Sequence, residues 1–291
     1  MPHLLEWSRD DTRRLLRRPE RDDDKNSRGV VALRTGSDAY PGAAVLGVEA
    51  AWRAGCGYVR FSGSARISGP VLAQRPETVV SDDADLPRVD AWVIGSGTDA
   101  RTRSAEETAL LRRILDGTAP VVVDAGALDL VRDAAAPVVA TPHAGEFGRL
   151  REDLGLPVAD LADELARGDA VAETAAALGA VVLLKGARTL VSAGDEVVAI
   201  EAGTPWLATA GTGDVLAGMI GALAAAAPEA GLVEVGAAAA WLHGAAGRLA
   251  AGITSGHPGH PIVALDVAQA VPRVIGELAA VDAAPTGEDR P

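Results

Sequence analysis

Short apolar runs of buried-strand type recur along the chain, and between them hydrophobic positions fall at helical spacing. Val30-Val31-Ala32-Leu33 begins the ordered region as a strand, Ala43 to Ala54 reads as a helix ending at Gly55, and Gly57 to Phe61 returns as a strand. That βαβ unit predicts a parallel sheet with right-handed crossovers. The pattern repeats with a strand at Ala91-Trp92-Val93-Ile94, a helix over Arg103 to Leu115, and strands at Pro120 to Asp124 and Pro137 to Ala140. Thr141 to Glu146 leaves the last of these and opens a helix; a longer helix over Asp160 to Leu178 leads to a strand at Val181 to Leu184. Leu190 to Ser192 and Val197 to Ile200, separated by Gly194-Asp195, predict an antiparallel hairpin at one sheet edge. A glycine-rich turn then enters an alanine-rich helix reaching about Ala227. A second such helix covers 235–251, a loop runs from Gly252 to Pro261, and a last helix spans Leu265 to Val281.

No internal repeat and no linker interrupts this order. It predicts one doubly wound α/β domain over 29–281, its mostly parallel sheet covered by helices on both faces. Residues 1–28 are polar and arginine-rich and are expected to form a solvated arm or a loosely docked helix, and 282–291 a disordered tail.

At 291 residues and 48% apolar, the chain can fill a large core. Its single cysteine, Cys56, leaves no disulfide and fits a reducing compartment. A net charge of −13 argues against sequence-independent nucleic-acid binding, so an anionic ligand would have to be held by local groups. No signal-peptide pattern opens the chain and no apolar run reaches membrane-spanning length, so the expectation is a cytoplasmic protein without a membrane partner. Of the 27 basic residues only Lys25 and Lys185 are lysines, and Lys185 stands at the end of an apolar strand beside Gly186. Against that background the strand-end lysine is a candidate ligand contact, with a solvated side chain as the alternative.

The chemistry concentrates where predicted strands end, which is where open α/β sheets bind ligands. In Leu207 to Gly218, Gly211 and Gly213 let several backbone N–H groups approach a ligand closely, and the following helix N-terminus adds its dipole, which makes an anion site. Asp214 has no electrostatic reason to face a bound phosphate. It either takes a proton from a hydroxyl or caps the helix, and the helix N-terminus should lower its pKa. His143 is either a polar substrate contact or a cap. Glu146 is either a first-turn acid or a carboxylate that orders magnesium-bound water near phosphates. Gly95-Ser96-Gly97 lacks the dinucleotide spacing of a Rossmann dehydrogenase. No Walker loop, nucleophile elbow or zinc spacing is present in the sequence.

Tyr40-Pro41-Gly42-Ala43-Ala44, Thr141-Pro142-His143-Ala144-Gly145-Glu146-Phe147, Val182 to Ala187, Leu207 to Gly218 and Leu242-His243-Gly244 occur in an order that resembles the ADP/ATP-dependent NAD(P)H-hydrate dehydratase family of the ribokinase-like superfamily. The turn with its Asp is shared across that superfamily, whereas the Thr-Pro-His-x-Gly-Glu segment and the Tyr-Pro-Gly-Ala loop point to the dehydratase branch. The resemblance implies a ribokinase-like fold and repair of the S-epimer of hydrated NADH or NADPH. In that reaction the ring hydroxyl is phosphorylated from ADP or ATP with Mg2+, and phosphate is then eliminated. By motif position, Ala43, Gly97, His143 and Asp214 would face the hydrated nicotinamide, with Asp214 as base. Lys185, Gly186, Ala187, Arg188, Thr189 and Gly213 would line the adenine nucleotide, and the N–H groups of Ala210, Gly211, Thr212 and Gly213 would hold the transferring group. Glu146 would meet Mg2+ through water. A homotetramer is implied as well, and a dehydratase without the epimerase domain that often accompanies it. The chain departs from the family pattern at Ser96 and Thr98, where Pro and Leu are usual, at Gly126, where Asp is usual, and near Ile200 or Glu201, where Asn is common. The competing readings are a kinase for a small alcohol such as a vitamin precursor, which would leave a stable phosphate ester, and a nucleotide-binding module without turnover.

Overall fold

The apolar runs pair side by side, because a strand with no polar face must be covered on both sides. The structure, a computed structural model, describes residues 3–83 and 85–280; the expected tail lies outside the described residues. The strands are β1 (His3–Glu6), β2 (Val30–Arg34), β3 (Tyr58–Ser62), β4 (Val79–Ser81), β5 (Ala91–Ile94), β6 (Val121–Val123), β7 (Val138–Ala140), β8 (Val181–Leu184), β9 (Thr189–Ser192) and β10 (Glu196–Ile200). The helices are α1 (Arg9–Leu15), α2 (Gly42–Arg53), α3 (Ala65–Gln74), α4 (Ala105–Leu115), α5 (Ala144–Asp153), α6 (Glu164–Leu178), α7 (Thr212–Ala226), α8 (Leu232–Ala250) and α9 (Ala264–Ala280). Two 3-10 segments, Ala125–Asp133 and Pro205–Leu207, complete the described elements.

One sheet runs β1-β10-β9-β8-β7-β6-β5-β2-β3-β4. β9 pairs antiparallel with both neighbours, and every other pairing is parallel. The chain steps outward from β2 to β3 and β4, then returns to β5 on the other side of β2. The β2–β5 boundary is therefore a topological switch point, and its crevice opens at the strand C-termini. Alternate side chains divide the core: Val31, Leu33, Val93, Val122 and Val139 face α2, α7, α8 and α9, while Ala32, Ile94, Val121, Val123 and Ala140 face the other layer with α4. Phe147 of α5 and Val171 of α6 cover the β8 to β10 end of that second face.

The opening stretch departs from the expected arm. β1 extends the sheet parallel to β10, so the predicted hairpin is present but is not the edge. Leu4 packs on the β8 to β10 core, while Trp7, Leu15 and Leu16 pack on the core beneath α8 and α9. Ser8 and Asp11 form a capping box at α1. Four apolar anchors spaced through charged residues suffice to dock it.

α7 crosses α2 closely enough that a Cβ on Gly218 would collide with the carbonyl of Gly47. Gly218→Ala should gain about 1 kcal/mol of helix propensity, yet overpacking against main chain should leave a net loss of about 1–2 kcal/mol. A lower thermal unfolding midpoint is expected; an unchanged one would mean that the helices separate without cost.

Candidate active site

Main-chain bonds tie the strand exits together. Gly36 N–H donates to the Ser96 carbonyl (2.7 Å), Asp124 to Ile94 (3.0 Å), Thr141 to Val123 (3.0 Å) and Lys185 to Pro142 (2.9 Å), linking the ends of β2, β5, β6, β7 and β8. Along this rail lies a polar cluster. The Asp124 carboxylate accepts from Lys185 Nζ (2.8 Å) and Thr141 Oγ1 (2.8 Å) on Oδ1, and from Ser96 Oγ (2.9 Å) on Oδ2. Ser96, Asp124 and Thr141 are all buried. Ala125, next in the chain, is held at φ 47°, a sparsely populated conformation that turns the backbone sharply after Asp124. Burial alone would lower the Lys185 pKa, but Asp124, with Glu146 and Asp214 contributing less, raises it overall, so the side chain is a firm cation.

Across from Lys185 lies the glycine turn. Gly211 occupies the α7 N-cap at φ 90°, where a Cβ would come within 2.5 Å of Leu46 Cδ1, so the position demands glycine. No side chain caps α7, which leaves its first-turn N–H groups available to an anion. The Thr212 hydroxyl lies 3.0 Å from the carbonyl oxygens of both Leu207 and Thr209 and folds the turn onto itself. A Cβ on Gly213 would stand 3.4 Å from Lys185 Nζ, which puts the ammonium beside the turn. Behind it, His243 of α8 contacts the Thr212 backbone; burial depresses its pKa to about 4, so the ring is neutral, and its Nε2 has no partner among the described residues.

Asp214 does not follow the expected dipole effect. Its pKa is pushed up to about 6, first by burial and then by the Asp124 charge, with Lys185 opposing. Desolvation and a like charge outweigh the helix dipole, and the carboxylate becomes a stronger base near neutral pH.

On the other side of the turn, Gly97 and Ala43 meet. Gly97 has φ 69°, and a Cβ there would collide with Ala43 Cβ. His143 and Glu146 form the α5 capping box: His143 Nδ1 accepts from Gly145 N–H (3.0 Å) and Glu146 N–H (3.3 Å), and Glu146 Oε2 accepts from His143 N–H (2.9 Å). The cap readings of both residues thus describe the fold, and the exposed imidazole still sits on the site's rim. Gly186, Ala187 and Arg188 form the turn between β8 and Thr189 at the start of β9. The Arg188 guanidinium is taken up by Glu6 and Glu164, so toward the turn this segment offers backbone rather than charge. Ala210 is exposed at the mouth.

The sequence reading assigns no role to Asp124, Ser96 or Thr141, although all three stand at the strand exits where the chemistry concentrates. Their available signal was an acid at the end of Val121-Val122-Val123, with a hydroxyl at each neighbouring strand exit. Two departures from the family pattern also fit together. Ser96 is the donor to Asp124 Oδ2, and Gly126 lies against the Thr98 carbonyl, where any Cβ would collide. Among the described residues no three His, Cys, Asp or Glu side chains converge as a metal-binding set, and no helix is long and apolar enough to cross a membrane.

A ten-stranded, mostly parallel sheet with an uncapped glycine turn and an acid at the switch-point face defines a ribokinase-like α/β protein. The NAD(P)H-hydrate dehydratase family profile matches residues 31–257, and the chain belongs to that family. It is 45% identical over 218 residues to the bifunctional NAD(P)H-hydrate repair enzyme of Mycobacterium tuberculosis, covering 72% of this chain and 43% of that longer protein. The chain therefore spans less than half the length of the bifunctional relatives it matches. It is 37% identical over 254 residues to the ADP-dependent (S)-NAD(P)H-hydrate dehydratase of Neisseria meningitidis, covering 81% of this chain and 82% of that one. An ADP/ATP-dependent NAD(P)H-hydrate dehydratase of Bacillus subtilis, co-crystallised with ATP and Mg2+, superimposes with a TM-score of 0.81 at 30% identity, covering 94% of this chain and 98% of that one.

Proposed function

We propose that the protein dehydrates the S-epimer of hydrated NADH or NADPH at the expense of ADP or ATP. The observation that carries this reading is the pairing of a raised-pKa carboxylate, Asp214, with an uncapped helix N-terminus and a cation, Lys185, on the same strand exits. Ala43, Gly97 and His143 would border the hydrated nicotinamide, and the 185–189 turn with Gly213 the adenine nucleotide. Asp214 takes the proton of the ring hydroxyl as its oxygen attacks the terminal phosphoryl group. The phosphorus–oxygen bond to the donor breaks, releasing AMP from ADP or ADP from ATP. N–H groups of Ala210 to Gly213 and the Lys185 ammonium neutralise the transferring charge. The ring nitrogen's lone pair then expels phosphate, and loss of a proton from the adjacent carbon restores the double bond.

Glu146 fits a magnesium-bound water rather than direct ligation. One oxygen caps α5 and the other lies 3.4 Å from His143 Nε2, and Mg2+ keeps much of its water shell beside substrate phosphates. When bound, the ion would offset phosphate charge. A buried Cys56, its thiol pKa pushed up to about 12 by burial, suits a cytoplasmic protein without disulfides, and a homotetramer is the assembly we expect.

Incubating the protein with hydrated NADH, ADP or ATP and Mg2+ should regenerate the NADH absorbance with release of one phosphate per turnover. A stable phosphate ester instead would make it a kinase. Lys185→Ala should weaken nucleotide binding about tenfold or more, as loss of a charge-assisted contact does, with the change in Kd exceeding the change in kcat. An unaltered Kd by calorimetry would remove Lys185 from the nucleotide site.

A further inference from the structure

α8 lies directly against the segment that leads into the glycine turn. A Cβ on Gly244 would come within 2.7 Å of the Ala202 carbonyl carbon, and one on Gly247 within 2.6 Å of Leu207 Cδ2. His243 precedes Gly247 by one helical turn, so the three positions share a face that looks onto residues 202–212. The other buried residues of α8 are alanine, glycine, valine and leucine; His243, 8% exposed, is the polar one among them. Burying an imidazole in such surroundings is unfavourable unless its polar atoms are used, and Nε2 has no hydrogen-bond partner among the described residues. A leucine of similar volume would fill the space without that penalty, so packing does not account for the residue.

The place of the ring does. Its contact with the Thr212 main chain favours the protonated form, as a carbonyl accepting a ring N–H does, while burial and the Lys185 charge keep it neutral. Thr212 is the first residue of α7, and its hydroxyl holds the Leu207 and Thr209 carbonyls. Leu46 and Ala264 close in on Gly211 beside it. The imidazole thus grips the turn from the one direction that these contacts leave open. We infer that His243 positions the glycine turn for phosphoryl transfer, holding Thr212 so that the first N–H groups of α7 face the transferring group. The inference rests on the reaction proposed above and adds a residue that acts through the turn. A turn displaced by an ångström would still admit the nucleoside, but misplacement on that scale costs about hundredfold in rate.

His243→Leu should lower kcat roughly tenfold to hundredfold without lowering the melting temperature. Calorimetry should show the phosphoryl donor bound about tenfold more weakly and the nucleotide one phosphate shorter changed by less than about twofold, since only the donor carries the group that the turn holds. The pair compared is ADP with AMP, or ATP with ADP where ATP is the donor. A side chain that only filled space would move both affinities together or neither. His243→Asn and His243→Gln each keep an amide N–H at one of the two ring-nitrogen positions, and at least one of them should recover most of the lost kcat. Equal losses of affinity for the donor and the shorter nucleotide, an unchanged kcat in His243→Leu, or the same loss of kcat in all three variants overturns the inference. Should the unmodified protein show no turnover while His243→Leu still separates donor from shorter nucleotide, the assigned reaction falls and the positioning role stands.

Discussion

Asp214→Asn is expected to lower kcat by about three orders of magnitude, within the range that a positioned general base supplies. The amide keeps the size of the carboxylate and cannot take the hydroxyl proton. Nucleotide binding should change little, because the contacts assigned to phosphate come from backbone N–H groups and Lys185. The pH profile gives a second reading. The base must be ionised, and the Asp214 pKa lies at about 6, so kcat/KM of the unmodified protein should rise tenfold per pH unit below that value and level off above it. The residual activity of Asp214→Asn should lose that acid limb. A variant that turns over near-normally, or keeps an inflection near 6, would take the base role away from Asp214.

How much of this was legible in the sequence depended on distance along the chain. Strands such as Val30-Val31-Ala32-Leu33 and Val181-Val182-Leu183-Leu184 are buried on both faces, so they carry their own signature. The glycine turn announced itself because Gly211, Gly213 and Asp214 are adjacent in sequence. β4 is three partly exposed residues and α3 contains Pro70, so neither has a pattern long enough to read. β1 and α1 were obscured by charge, since their anchors Leu4, Trp7, Leu15 and Leu16 are too sparse to form a stripe. The Asp124 cluster draws on positions 96, 124, 141 and 185, which meet only because β5, β6, β7 and β8 are neighbours in the sheet. The raised pKa of Asp214 was misread for the same reason: the local helix suggests a lowered value, while burial and a carboxylate 90 positions earlier in the chain decide the sign.

Asp124→Asn should show what that hidden cluster does. Asp124 is the counter-ion of Lys185 and a like charge to Asp214, so its removal acts on both. The charged groups facing Asp214 are Asp124 from the β6 exit and Lys185 from the β8 exit; Glu146 of α5 faces Lys185, and the neutral His243 of α8 lies behind Thr212. With Asp124 neutral, the repulsion that raises the Asp214 pKa disappears, and Lys185 keeps Glu146 and Asp214 as the acids facing it. Both changes favour the ionised carboxylate, so the acid limb of kcat/KM should move below pH 6. The base becomes weaker, and kcat should fall roughly tenfold to hundredfold. KM for nucleotide should rise, since the ammonium is no longer held beside Gly213. The Lys185 side chain keeps 20% exposure against 4% for Asp124, so the stability cost should sit at or below the low end of the about 3–5 kcal/mol lost when one member of a fully buried pair is removed. Ser96→Ala deletes one donor but leaves the Asp124 charge in place, so the acid limb should not move below about 6. A residue that only braced the strand exits would lower the melting temperature and leave the acid limb at about 6. That outcome would reduce Asp124 to a structural role, because removing a like charge from beside a buried carboxylate must shift its titration.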